Sequence, residues 1–87
     1  MPLYFSSHVT ACLTRQALGE LMRQAFQAQE VKVKRAVSSQ HGGRMLLEIE
    51  APDQRTIEKW IEANRLNAEW VMRIDLDGNP EGGVRER

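Results

Sequence analysis

The sequence predicts an α+β domain whose strands and helices follow the order β-α-β-β-α-β. Four short stretches alternate apolar and polar residues, which is the period of a half-buried strand. Two longer stretches repeat apolar residues at helical spacing, and each begins with a residue that caps helices well. This order predicts a four-stranded antiparallel sheet with both helices on one of its faces.

The first strand is predicted over residues 3–10, where the alternation separates two faces. We expect the more apolar face to contact the helices and the more polar face to point away from them. The apolar face consists of Leu3, Phe5 and Val9, and the polar face of Tyr4, Ser6, His8 and Thr10.

The two predicted helices have clear starts. Thr14 is the expected N-cap of the first helix, which ends near Gln29, and apolar positions 18, 21, 22, 25 and 26 share one side of it. Pro52 cannot continue a strand ladder, so the third strand ends before it, and Asp53 then caps the second helix. The apolar side of that helix consists of Ile57, Trp60 and Ile61.

The second and third strands form a predicted hairpin. They cover residues 31–37 and 44–50, and a short turn rich in Ser and Gly joins them. In the third strand, we expect Met45, Leu47 and Ile49 to face the helices and Leu46, Glu48 and Glu50 to face away. In the second strand, the alternation sets Val31, Val33, Arg35 and Val37 against Lys32, Lys34 and Ala36.

The chain after the second helix is expected to contain one more strand. Asn67 is a possible cap for a single helical turn over residues 68–70, and the alternation then predicts a strand over residues 72–76. The segment after it is rich in Gly, Pro and charge. We therefore expect one domain over residues 1–77 and a flexible C-terminal tail over residues 78–87.

Composition limits the classes of function. The 12 basic and 12 acidic residues give a formal net charge of zero, which argues against nucleic acid or an anionic membrane as a partner. The single cysteine, Cys12, excludes an intramolecular disulfide bond. Since neither a signal peptide nor an apolar run of membrane-spanning length is evident, we expect a cytoplasmic protein.

The predicted order is typical of a ferredoxin-like α+β sandwich, in which helices cover one face of the sheet and leave the other open. We expect polar side chains of three strands to converge on the open face and to line a site for a small polar ligand. For the charged side chains, cross-strand ion pairs are the alternative. The candidate ligand-binding residues are Tyr4, Ser6, His8, Lys32, Lys34, Glu48 and Glu50.

Several short motifs carry a family resemblance: the opening strand that ends at His8, Leu13-Thr14, Arg35-Ala36, Glu50-Ala51-Pro52-Asp53 followed by Ile57, and residues 67–71. With these motifs the chain resembles small ferredoxin-like proteins grouped as a domain of unknown function, one branch of which binds nickel. The resemblance implies a dimeric α+β barrel, and therefore a homodimer, with a site between two sheets. Where that branch has histidines, this chain has Ser7, His8, Lys32 and Leu66, so His8 is the candidate ligand for nickel or another divalent metal.

Three functions remain open at this point. We rank a binding module for a small ligand or metal ion first, and a dimerisation or interaction domain without a ligand second. The third is a small dimeric-barrel enzyme, an isomerase or cofactor-free oxygenase, with His8 as the base and Tyr4 or Glu48 nearby. RNA-binding sheets of this element order carry aromatic residues on their middle strands, and here Tyr4 is the one aromatic expected on that face.

Overall fold

The computed structural model describes residues 1–87 and has the predicted α+β class. Its elements are β1 (Leu3–Val9), α1 (Arg15–Phe26), β2 (Lys32–Ser39), β3 (Arg44–Glu50), α2 (Gln54–Ala63), β4 (Ala68–Arg73), β5 (Leu76–Asn79) and β6 (Gly83–Glu86). The first four strands form one antiparallel sheet in the order β2-β3-β1-β4, and β5 pairs with β6 alone. The four-stranded antiparallel sheet and the two helices are compatible with a ferredoxin-like fold.

Both helices begin at the predicted caps. Thr14 Oγ1 accepts a hydrogen bond from the Ala17 amide at 3.1 Å. Asp53 Oδ1 accepts hydrogen bonds from the Thr56 amide and hydroxyl at 2.8 Å each. The Thr56 amide, and then its hydroxyl, hold the pKa of the Asp53 carboxyl below its usual value. Neither helix, at 12 and 10 residues, is long and apolar enough to cross a membrane.

The core lies between one sheet face and the two helices. Met45, Leu47 and Ile49 are fully buried, as the alternation in the third predicted strand indicates. They form one cluster with apolar side chains of both helices, namely Ala25, Ile57, Trp60 and Ile61. Burial of this apolar surface is the main favourable contribution to folding in a domain of this size.

The predicted orientation of the first strand is wrong. Tyr4, Ser6 and His8 lie directly opposite Ile49, Leu47 and Met45 in the β1–β3 register, and directly opposed residues point to the same face. The side chains of Tyr4, Ser6 and His8 are therefore under the helices, and all three are buried. Phe5 and Val9 point to the other face. The register with β3, whose apolar face is unambiguous, determines the orientation of β1.

A β-bulge changes the predicted faces of the second strand. The register shifts between Val33 and Arg35, so that Lys34 has no directly opposed partner in β3. Beyond the bulge, Ala36 is opposite Leu47 and packs against the core. On the open face, Val37 is opposite Leu46 and Arg35 is opposite Glu48. Lys32 is opposite Glu50 on the same face.

The end of the chain differs from the prediction in two ways. Residues 68–70 belong to β4 and do not form a helical turn. The predicted tail over residues 78–87 contains paired strand residues, since β5 and β6 form a hairpin around Asn79 and Gly83. Gly83 has a φ of 71°, a conformation that glycine adopts easily, and the Asn79 side chain accepts a hydrogen bond from the Gly82 amide.

Candidate functional site

The seven candidate ligand-binding residues do not form one site. Tyr4, Ser6 and His8 lie in the core, between the sheet and the helices. The four charged candidates belong to β2 and β3, where Lys32, Glu48 and Glu50 point to the opposite face of the sheet and Lys34 lies in the bulge. The sheet itself separates the two groups, so a small ligand cannot contact both.

The His8 side chain is almost fully buried, with 1% of its surface exposed. Its Nε2 atom lies 2.7 Å from Ser6 Oγ, while its Nδ1 atom is buried without a hydrogen-bond partner. Burial lowers the pKa of His8 from 6.5 to about 4, because the charged imidazolium cannot be solvated there. The imidazole is therefore neutral at pH 7, and no substrate can reach it in this conformation.

The residues around His8 do not fit the nickel site that the family resemblance implies. Nickel needs several nitrogen, sulfur or oxygen ligands that converge on one point. The chain contains no group of three or more His, Cys, Asp or Glu side chains that could hold a metal ion. The His8 side chain forms one hydrogen bond, and its partner is the Ser6 hydroxyl. One chain therefore cannot supply the ligands of a divalent metal at this position.

The four charged candidates of β2 and β3 form a single weak ion pair. The Lys34 Nζ and Glu50 Oε2 atoms are 4.0 Å apart, which is a weak ion pair at partly exposed side chains. Arg35 and Glu48 occupy directly opposed positions on β2 and β3 but form no salt bridge. These charges are in positions where a further molecule could contact them.

The open face of the sheet carries the predicted Leu46 and, in addition, four apolar side chains that were not predicted there. Across β2, β3, β1 and β4, one row of opposed residues is Val37, Leu46, Ser7 and Trp70, and the next is Arg35, Glu48, Phe5 and Met72. We call Phe5, Val37, Leu46, Trp70 and Met72 the open apolar face. Val37, Trp70 and Met72 are 42%, 40% and 49% exposed. No helix covers this face.

A shallow depression of about 130 Å³ lies within the open apolar face. Phe5, Val37 and Leu46 supply its apolar walls, and Arg35 and Glu48 supply its charged groups. The volume is below the range of roughly 300–1,000 Å³ that is usual for ligand sites. In one copy of the chain, this depression alone is too small to enclose a ligand.

Glu69 closes one end of the open face. The β1–β4 register shifts between Ser7 and His8, which makes Glu69 the extra residue of a bulge in β4. Its Oε1 atom accepts hydrogen bonds from Arg44 Nε at 2.6 Å and from the Ser7 hydroxyl at 3.0 Å. The bond from Arg44, and then that from Ser7, lower the pKa of the Glu69 carboxyl. No sequence signal marked this cluster, because it depends on the bulge.

Comparison with known proteins finds no matching family model, no similar curated protein and no similar solved structure. The resemblance to the nickel-binding branch therefore rests on the motifs in the sequence.

Proposed function

We propose that the protein is a self-association domain, in which the open apolar face of one copy packs against the same face of a second copy. The observation that carries this proposal is the position of Phe5, Val37, Leu46, Trp70 and Met72 on the sheet face that no helix covers. Contiguous exposed apolar surface of this kind is typical of interaction sites. A domain of this kind, without a ligand, is one of the three functions that the sequence leaves open.

The area of the open face can be compared with the area that a dimer contact needs. Four strands at roughly 4.8 Å spacing, each about seven residues long at about 3.3 Å per residue, give a face of roughly 19 by 23 Å. The accessible area is larger than this projection, because side chains stand out from the sheet. Stable interfaces bury about 800 Å² per partner. The projection alone is roughly 440 Å², so two stacked sheets, about 10 Å apart, would form a contact at the small end of the range for specific interfaces.

The charges on the face are compatible with stacking. Arg35 and Glu48 form no salt bridge on the exposed face, but they occupy directly opposed positions and have opposite signs, so a covering copy would enclose both charges together. A lone buried charge is strongly unfavourable, whereas a close pair offsets much of its own desolvation. Two further pairs of opposite charge lie near the rim of the face: Lys32 is opposite Glu50, and Arg44 forms a salt bridge with Glu69.

Sedimentation velocity over a range of protein concentrations tests this proposal. We expect Val37→Asp and Leu46→Asp each to shift the population towards smaller species, because each places a charge within the apolar contact. Val84→Asp is the matched control, since Val84 is 77% exposed on the separate β5–β6 hairpin and should not affect assembly. If both face variants sediment like the wild type, the open apolar face is not the contact.

A second function, binding of a small ligand between two copies, is favoured by the depression beside Arg35. Stacking of two open faces would bring two such depressions into one enclosed space, with apolar walls and charged groups on its rim. We expect a ligand of this kind to stabilise the assembled form. A thermal-melting screen of small carboxylates and amines, run on the wild type and on Arg35→Gln, would test this function. Equal melting temperatures with and without every compound would count against it.

A further inference from the structure

The outer edge of β4 is a second unpartnered surface. The strand order leaves β4 at the edge of the sheet, with β1 as its single neighbour. The Ile74 amide donates a hydrogen bond to the Leu3 carbonyl at 2.9 Å. In an antiparallel pair, only every second residue of a strand is hydrogen-bonded to the neighbouring strand, and from Ile74 these residues are Met72 and Trp70. The N–H and C=O groups of Val71 and Arg73 therefore point away from β1. Free edge groups of this kind can pair with a further strand.

A groove runs beside this edge, between α2 and β4. Its volume is about 480 Å³, which is within the usual range for binding sites. Ile61, Leu66 and Val71 give it an apolar floor, and Glu58 and Glu62 line it on the α2 side. No Lys, Arg or His side chain lines the groove. A strand added to the edge of β4 would place alternate side chains over this groove.

We propose that β4 of a second copy pairs antiparallel with β4, with the two-fold axis at Val71, so that one sheet continues through both copies. In this register Val71 of one copy is opposite Val71 of the other, and both side chains lie over the grooves. Trp70 of each copy is opposite Met72 of the other, on the open side of the sheet. A thioether beside an aromatic ring is a favourable contact. The strand is thus complementary to itself.

The charges favour the same register. Arg73 of the second copy falls opposite residue 69 of the first, on the helix side, where the groove is lined by Glu58 and Glu62. No salt bridge within the chain involves Arg73, Glu58 or Glu62. Glu69 also lines the groove, but its carboxylate already accepts hydrogen bonds from Ser7 and Arg44. An axis at Met72 would instead bring Arg73 opposite Val71, above the apolar floor.

The edge contact is separate from the stacking of the open apolar faces. Each contact is isologous: it joins the same surface of two copies, which are then related by a two-fold axis. A chain that makes both contacts assembles beyond the dimer, whereas a chain that makes one of them stops at the dimer. Variants of Arg73 and of Leu46 therefore report on different contacts.

Charge reversal tests the edge contact in the full chain. We expect the wild type to sediment as a species larger than a dimer, and Arg73→Glu or Glu62→Arg alone to leave a dimer, with the edge contact weakened at least about tenfold. An equal mixture of the two variants should recover the larger species, because each reversed charge then meets an opposite charge. Leu46→Asp should also leave a dimer, held by the edge contact, and its combination with Arg73→Glu should leave a monomer.

The possible outcomes separate the two proposals. A wild-type dimer that Leu46→Asp dissociates and Arg73→Glu does not would overturn the edge contact alone. A wild-type dimer with the reverse sensitivity would support the edge contact and overturn the stacking of the open faces. A wild-type monomer at every concentration would overturn both. Failure of the mixed variants to reassociate would overturn the assigned ion pairs.

Disulfide trapping tests the register independently of charge. In a background of Cys12→Ser and Leu46→Asp, which leaves the edge contact without the stacking of the open faces, Val71→Cys places two thiols at directly opposed positions, where Cα atoms are about 5.5 Å apart and a disulfide can form. Met72→Cys is the matched control, since its two copies lie two residues out of register. We expect covalent dimer from Val71→Cys under mild oxidation and at least about tenfold less from Met72→Cys. Equal yields would overturn an axis at Val71.

Discussion

The Nε2 atom of His8 lies 2.7 Å from the hydroxyl oxygen of Ser6, and both residues are buried beneath the helices. The two side chains project from the same face of β1, two residues apart, opposite Met45 and Leu47. This hydrogen bond satisfies one nitrogen of the imidazole, and the other, Nδ1, has no partner. The sheet therefore contains an uncharged polar pair in an apolar layer, which makes its stability depend on pH and on both partners.

Acid should destabilise the fold through His8. Its pKa is lowered from 6.5 to about 4 by burial, so the unfolded chain binds a proton between these pH values more readily than the folded one. The stabilising contribution of the neutral imidazole is complete above pH 6.5 and is lost as the pH falls towards 4. We expect the free energy of unfolding to decrease by up to about 3 kcal/mol over this window, as measured by urea denaturation.

Two variants control for other groups that titrate in the same window. His8→Gln should remove most of the change between pH 6.5 and pH 4, whereas His41→Gln should keep it, because His41 is exposed in the β2–β3 turn. A wild-type stability that is constant between pH 7 and pH 4.5 would contradict the buried neutral state of His8.

Removal of the Ser6 hydroxyl should leave His8 without any hydrogen-bond partner. A buried polar group that loses its partner destabilises a protein by about 1–3 kcal/mol, and we expect Ser6→Ala to fall in that range in urea denaturation at pH 7. The control is a double-mutant cycle with His8→Phe. In the His8→Phe background the effect of Ser6→Ala should be smaller, since the hydroxyl then has no imidazole to bond. Equal effects in both backgrounds would show that the hydrogen bond contributes nothing.

Local signals in the sequence predicted the parts of the fold that depend on neighbouring residues. Thr14 and Asp53 are caps because their side-chain oxygens reach the first turn of their own helices. The alternation through Met45, Leu47 and Ile49 determined the buried face of β3, because the difference between its faces is large. These features depend only on residues that are close together in the sequence.

The side-chain faces of β1 and β2 depend on distant parts of the chain, and their prediction was wrong for that reason. The alternation in β1 sets Leu3, Phe5 and Val9 against Tyr4, Ser6 and His8, and hydrophobicity favours burial of the first set, but the register with β3 places the second set inside. The bulge next to Arg35 then exchanges residues between the faces of β2. A shift of one residue in a strand moves its side chains to the other face. The exposed apolar residues of β4 were missed because a helical turn was expected at its start.

Loss of the cap on α1 should weaken the fold moderately. Thr14→Ala removes the oxygen that accepts from the Ala17 amide, and we expect a decrease of about 1 kcal/mol in the free energy of unfolding. Thr14→Ser keeps that oxygen and is the matched control, with an expected change of a few tenths of a kcal/mol. Circular dichroism during urea denaturation measures both. Equal destabilisation by the two substitutions would assign the effect to the lost methyl group of threonine, not to the cap.

Nickel should not bind saturably to the purified, metal-free protein. His8 is buried, its Nε2 atom bonds Ser6, and no second imidazole or carboxylate joins it in a cluster of three. Isothermal titration with nickel chloride should therefore give the same small heats for the wild type and for His8→Ala. The exposed His41 provides the control, since His41→Ala would remove any weak surface binding. Saturable binding that is lost in His8→Ala and kept in His41→Ala would mean that β1 opens to present the imidazole. It would then restore the metal-binding function that the family resemblance implies.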